Sequence, residues 1–188
     1  MKTQVLFIHG GGDDGYGTDK ALMHSLKNAL GENYELQYPQ MNTENENDLA
    51  LEWIAQIEAE ILKLGSEVIL VGHSLGASMI IKYLSEKQAA STIKGVFLLA
   101  PPFWSGNRTW VQPLKLKKNF EEQLPPEIPL FFYQCKDDEI VPYRHFTRYR
   151  KILPAESFRE VLLGGHQFNN DLALLAMDII AISMKWSH

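Results

Sequence analysis

The 188-residue sequence contains a single cysteine, Cys135. One thiol permits neither an intramolecular disulfide nor a cysteine-based metal cluster. It directly follows the apolar stretch Leu130-Phe131-Phe132-Tyr133-Gln134 and reads as a small buried hydrophobe. Long hydrophobic runs are also missing. The longest, Leu172 to Met184, is interrupted by Asp178 and is shorter than the ~20 residues that span a bilayer. Only Val5 to Ile8 precede His9-Gly10 as an apolar run, too few for the core of a secretion signal. The expectation is therefore no membrane contact and a cytoplasmic location. Basic charge is scarce as well: 18 Lys and Arg against 23 Asp and Glu give a net charge of −5. Nucleic-acid binding needs a basic face, which Lys115, Lys117 and Lys118 alone do not make, so that class is excluded and the cluster reads as a solvated loop. With 45% hydrophobic residues the chain is not disordered, and its length fits one domain over residues 1–188.

What is present is an alternation of two patterns. Apolar runs at Val5–Ile8, Val68–Val71, Gly95–Leu99 and Leu130–Gln134 read as strands of a buried sheet, and Tyr34–Tyr38 and Phe158–Leu162 as two further strands. Between them, Ala21 to Leu30, Leu49 to Leu64, Ala77 to Lys87 and Tyr143 to Ile152 repeat at helical spacing, and Asn169 to Lys185 closes the chain as a helix. Repeated strand–helix–strand units predict an α/β fold, with a mostly parallel sheet of about six strands and helices on both faces. Right-handed crossovers then place any active site at one edge, just after the strands.

Chemistry-bearing residues fall at those positions. Gly72-His73-Ser74-Leu75-Gly76 fits G-x-S-x-G between a strand and a helix, the context of a nucleophile elbow that lifts Ser74 Oγ clear of the sheet. A serine needs a base, and the base an orienting carboxylate. Of six histidines, His188 is terminal, His24 and His145 lie in predicted helices, His73 faces the wrong way within the elbow, and His9 reads as a structural histidine at a strand end. His166 remains, in Gly164-Gly165-His166-Gln167-Phe168 after the last strand. The acid belongs among Asp137, Asp138 and Glu139 after the penultimate strand, with the other two as solvated turn residues. The order Ser74, Asp138, His166 suits this architecture.

In these motifs the sequence resembles the α/β-hydrolase superfamily over nearly its whole length, and is similar to small serine hydrolases of the retinoblastoma-binding-protein-like group. The resemblance implies a catalytic acid in D-x-x-V-P, matched by Asp138 to Pro142, and a G-H-x-F loop, matched by Gly165 to Phe168. It selects Asp138 over Asp137. It also implies that the first two antiparallel strands of larger members are absent, and that oxyanion donors come from the N–H groups of Leu75 and Gly11, with Gly12 as the alternative.

Gly10, Gly12 and Gly15 also match G-x-G-x-x-G. Asp13 and Asp14 would repel a pyrophosphate, and no acid follows the second strand to bind a ribose, so a dinucleotide site is rejected. No His/Asp pair has metal-ligand spacing, and neither metal nor cofactor is expected. The insertion Pro101 to Pro129 is too short for a lid domain. It reads either as a flap, with Phe103 and Trp104 lining an acyl pocket, or as a loop whose aromatics cap the core. Tyr16 and Phe168 are further pocket candidates. The expected activity is hydrolysis of a small or soluble carboxylic ester or thioester through an acyl-enzyme on Ser74. The alternative is a binding or scaffold protein on a hydrolase fold.

Overall fold

A computed structural model describes residues 2–42, 48–65, 67–87 and 92–185; His188 lies outside them. Among these, β1 (Thr3–Ile8), β2 (Tyr34–Gln37), β3 (Val68–His73), β4 (Ile93–Leu99), β5 (Leu130–Cys135) and β6 (Ser157–Val161) form one sheet in the order β2-β1-β3-β4-β5-β6. Every pairing is parallel, from Thr3 opposite Tyr34 at one edge to Cys135 opposite Val161 at the other.

The period of two along each strand splits the core into two layers. Leu6, Ile8, Val68, Leu70, Val96, Leu98 and Phe132 face α3 (Leu49–Leu64), α4 (Leu75–Glu86) and α5 (Arg144–Ile152). Val5, Phe7, Ile69, Val71, Phe97, Leu99 and Tyr133 face α2 (Lys20–Leu30) and α6 (Ala173–Lys185). Because both layers are covered, the inner strands need apolar residues on both faces, which is why they read as unbroken runs. Cys135 is fully buried, and burial followed by the charges of Asp137, Asp138 and Glu139 pushes its thiol up to about 12. No helix among the described residues is long and apolar enough to cross a membrane.

The chain turns to one side of β1 to make β2 and then crosses back to make β3. The strand order therefore reverses at β1/β3, the usual place for a ligand crevice in an open parallel sheet. Most element boundaries fall within two residues of expectation, and the last helix departs furthest. The last helix starts at Ala173, not Asn169, because Phe168, Asn169 and Asn170 all adopt left-handed angles (φ 51°, 51° and 54°). Asparagine tolerates that conformation well, and Asp171 then accepts a hydrogen bond from the Ala173 N–H at 2.9 Å. The Pro101–Pro129 insertion is not structureless, since it holds 3₁₀ turns at Thr109–Leu114 and Phe120–Gln123.

Candidate active site

The elbow is built by close approach. Ser74, between β3 and α4, has φ 50° and ψ −118°, a conformation that costs a non-glycine residue about 1–3 kcal/mol. Glycines on either side make it possible. A Cβ on Gly72 would lie 2.7 Å from Ala77 Cα, and one on Gly76 would run into the carbonyl oxygens of Ile8 and His9 at the end of β1. The Ser74 N–H donates to Leu99 O at 2.8 Å, tying the strained turn to β4.

His166 is buried, and its Nδ1 lies 2.9 Å from Asp138 Oδ2. Asp138 also receives the N–H groups of Ile140 and Val141 on Oδ1 (2.9 and 2.7 Å) and Gln134 Nε2 on Oδ2 (2.7 Å). Burial alone would raise this carboxyl. The His166 hydrogen bond, the Val141 N–H, the charge of His166 and the Ile140 N–H outweigh it and hold Asp138 below the ordinary carboxylate value. An ionised acceptor at Nδ1 leaves the opposite nitrogen, Nε2, free to take a proton. Ser74 and His166 line one cavity. The Ser74 hydroxyl has no hydrogen-bond partner among the described residues, a looseness common before substrate draws nucleophile and base together.

Asp137 and Glu139 are exposed but not merely solvated turn residues, contrary to expectation. Asp137 Oδ1 accepts from the N–H groups of Gly164 and Gly165 at 3.0 Å each, and Glu139 Oε2 accepts from the His166 N–H at 3.0 Å. The Gly164 and Gly165 bonds hold the Asp137 carboxyl below its ordinary value. The three consecutive carboxylates thus divide the work of anchoring the histidine loop between its backbone and its side chain.

The loop after β1 passes over the elbow. A Cβ on Gly10 would sit 3.3 Å from Ser74 Cβ, and one on Gly11 would sit 2.7 Å from Leu75 Cδ2. Gly12, the alternative donor, is exposed with open space around it. The Gly10 N–H is taken by Asp19 Oδ2 at 2.7 Å, between the short α1 (Gly15–Thr18) and α2. His9 is structural, as expected. Its Nε2 accepts from the Met41 N–H (2.9 Å), so Nδ1 is left to donate to Gly10 O (2.6 Å), and burial lowers its pKa.

The cavity measures about 730 Å³. Its apolar wall includes Leu49, Leu75, Trp104, Trp110, Leu114 and Val141, and of the four pocket candidates only Trp104 lines it. Trp104 donates Nε1–H to Ser78 Oγ (2.9 Å) and meets Trp110 edge-on at 5.8 Å. Tyr16 is instead stacked on Tyr38, with ring centroids 4.6 Å apart. Phe103 caps the core against Tyr149 (5.0 Å), under the Arg148 guanidinium (3.9 Å). Phe168 is buried in the layer against α2 and α6, edge-on to His73. The aromatics of the insertion thus divide, Phe103 capping the core and Trp104 and Trp110 walling the cavity.

Several contributors escaped the sequence, Asp19 among them. Gln134, the one polar residue in the β5 run, donates to Asp138 and to Val141 O, and that lone polar position was its signal. Leu114 had no distinguishing signal. His145, set aside as a helix residue, lines the cavity; its Nδ1 accepts the Phe103 N–H at 2.8 Å, so a neutral ring offers Nε2–H. Burial, then Arg144 and Arg148, lower its pKa. Among the described residues no three His, Cys, Asp or Glu are grouped to hold a metal ion.

Asp19 and Asp138 give the site a pH signature. Burial opposes ionisation of Asp19, but its hydrogen bond and charge contact with His73, the Gly10 N–H and Gln167 prevail, so its folded value is also depressed. Unfolding returns both carboxyls to about 3.9, so between the folded and unfolded values the unfolded chain binds more protons. The stability they supply is intact above about pH 4 and is lost as pH falls through their folded values. Urea midpoints measured from neutral to acid pH should drop in that window; a flat profile would contradict the pairing.

An all-parallel six-stranded sheet, a serine on a strained strand-to-helix turn and a histidine–aspartate pair after the last strands define an α/β-hydrolase. A family model for serine hydrolases matches residues 21–171, more than half of the sequence, and the chain belongs to that family. No functionally curated protein matches the sequence. Among solved structures it is similar to the ydeN gene product of B. subtilis (19% identity, TM-score 0.75, covering 97% of this chain and 100% of that one). It is similar also to a variant of SOBER1 from Arabidopsis thaliana (17%, 0.71, 97% and 99%) and to Est1E from Butyrivibrio proteoclasticus (14%, 0.71, 98% and 88%). At these identities the likeness is one of fold.

Proposed function

We propose that this serine hydrolase cleaves small or soluble carboxylic esters or thioesters through an acyl-enzyme on Ser74. The observation that carries the reading is the shared cavity. It brings the Ser74 turn, the His166 ring backed by Asp138 and an aromatic wall to one opening. Ser74 Oγ attacks the acyl carbon while His166 Nε2 removes its proton, and Asp138 orients the imidazole and stabilises its charged form. The N–H groups of Leu75 and Gly11 receive the oxyanion, a contact worth about 3 kcal/mol per donor. The tetrahedral adduct collapses, and His166 returns the proton to the departing alcohol or thiol. Water, deprotonated by the same histidine, then releases the acid and restores Ser74.

The acyl group lies against Trp104, Trp110 and Leu114. A cavity of about 730 Å³ walled by a short insertion suits short acyl chains. Across an ester series, kcat/KM should level off near octanoyl; a steep rise beyond it would contradict the assignment. Trp104→Ala should raise KM several-fold with a smaller change in kcat, reflecting lost ground-state binding. The decisive experiment is labelling with a fluorophosphonate. Stoichiometric modification of the native protein, lost in Ser74→Ala, is expected. A folded native protein that does not label would put the scaffold reading in its place.

A further inference from the structure

A second carboxylate–imidazole pair lies beside the first, and the reaction scheme above does not use it. Asp19 and His73 are each only 1% exposed. His73 Nδ1 lies 2.8 Å from Asp19 Oδ2, and Nε2 lies 3.0 Å from the main-chain oxygen of His166. Both ring nitrogens therefore face oxygen acceptors. A neutral imidazole has one donor and one lone pair, so against an ionised Asp19, whose carboxyl is held below its ordinary value, only the doubly protonated ring answers both. In a site closed to water, a lone pair set against an oxygen would be left uncompensated. The His166 ring is next to it, with centroids 4.7 Å apart.

Asp19 reaches further than this ring. Its Oδ2 also accepts the Gly10 N–H (2.7 Å), and its Oδ1 accepts Gln167 Nε2 (3.1 Å). One buried carboxylate thereby ties together the loop after β1, the end of β3 and the loop after β6. At each tie the chain neighbour is part of the proposed machinery: Gly11 follows Gly10, Ser74 follows His73, and His166 precedes Gln167. Titratable groups elsewhere around the pair are His9, on the β1 side, Tyr38, which feels the Asp19 charge, and Asp138, beyond the His166 ring.

We propose that Asp19 and His73, as a carboxylate–imidazolium pair, are positioning residues that set the Gly11 N–H, the Ser74 hydroxyl and the His166 base at their mutual distances. The assignment rests on the hydrolase reading. Misplacement of reacting groups by about 1 Å costs roughly 10²-fold in rate, which is the scale to look for.

The test has a spectroscopic and a kinetic arm. In 15N–1H spectra of the native protein, both His73 ring nitrogens should carry protons. Asp19→Asn preserves the side-chain volume but removes the charge. It should abolish the second ring proton and lower kcat on a short-chain nitrophenyl ester by roughly 10²-fold, with KM within about threefold of native. Should Asp19→Asn not fold, His73→Gln supplies the kinetic arm and the native spectrum still supplies the other. A neutral His73 in an enzyme that turns over overturns the pair, as does a variant kcat within about twofold of native. A doubly protonated His73 in a native protein without turnover overturns the hydrolase reading, and the positioning role with it.

Discussion

Ser74→Ala is expected to lower kcat for ester hydrolysis by about 10⁴–10⁶-fold while leaving the thermal transition within a few degrees of native. The hydroxyl has no hydrogen-bond partner among the described residues, so its removal strands no buried group and forfeits only the nucleophile. His166→Ala should cost about as much, because an unactivated serine is a poor nucleophile. The two losses should not add, since each disables the same step, and the double variant should match the worse single one. Asp138→Asn should follow at about 10⁴-fold, since an amide in place of the carboxylate favours the wrong imidazole tautomer. Losses that multiply across Ser74 and His166 would show that the residues do not act as one unit.

Gly76→Ala is expected to destabilise the fold by about 3 kcal/mol or more, lowering Tm by roughly 6–12 °C. The new methyl would meet the carbonyl oxygens of Ile8 and His9. Those atoms belong to the end of β1, an inner strand paired on both sides, so the obstruction is backbone that cannot rotate away. Relief requires α4 to lift off β1, which would also displace the loop carrying Gly11. Activity should therefore fall along with stability. A melting curve within about 2 °C of native would mean that the elbow tolerates a separation its geometry argues against.

Features governed by local chain periodicity were legible in the sequence. The four inner strands announced themselves because a sheet covered on both faces needs apolar residues on both sides of each, and the long helices by their spacing; the half-exposed edge strands β2 and β6 carry polar residues and the short α1 left no periodic signal. The elbow was legible for a similar reason, since Gly72 and Gly76 are demanded by contacts between neighbouring segments. What was not legible depends on the path of loops through space. Tyr16, Phe103 and Phe168 are large apolar residues near the right strand ends, yet each turns toward packing partners and only Trp104 reaches the cavity. Asp137 and Glu139 looked like turn residues because their partners, backbone N–H groups of Gly164, Gly165 and His166, carry no side-chain signature. His145 was hidden by its charged helix neighbours, although its ring faces the other way, into the cavity.

The hydrogen bond between Asp19 and Gln167 joins positions 148 residues apart. Closing a loop of that span is entropically costly and follows only after the intervening parallel crossovers are in place. During synthesis the serine turn emerges long before the histidine proposed to activate it. On that mechanism partly made or partly folded chains hold the nucleophile without its base, and hydrolytic activity is expected to return last on refolding, as a reporter of the completed topology rather than of any one segment.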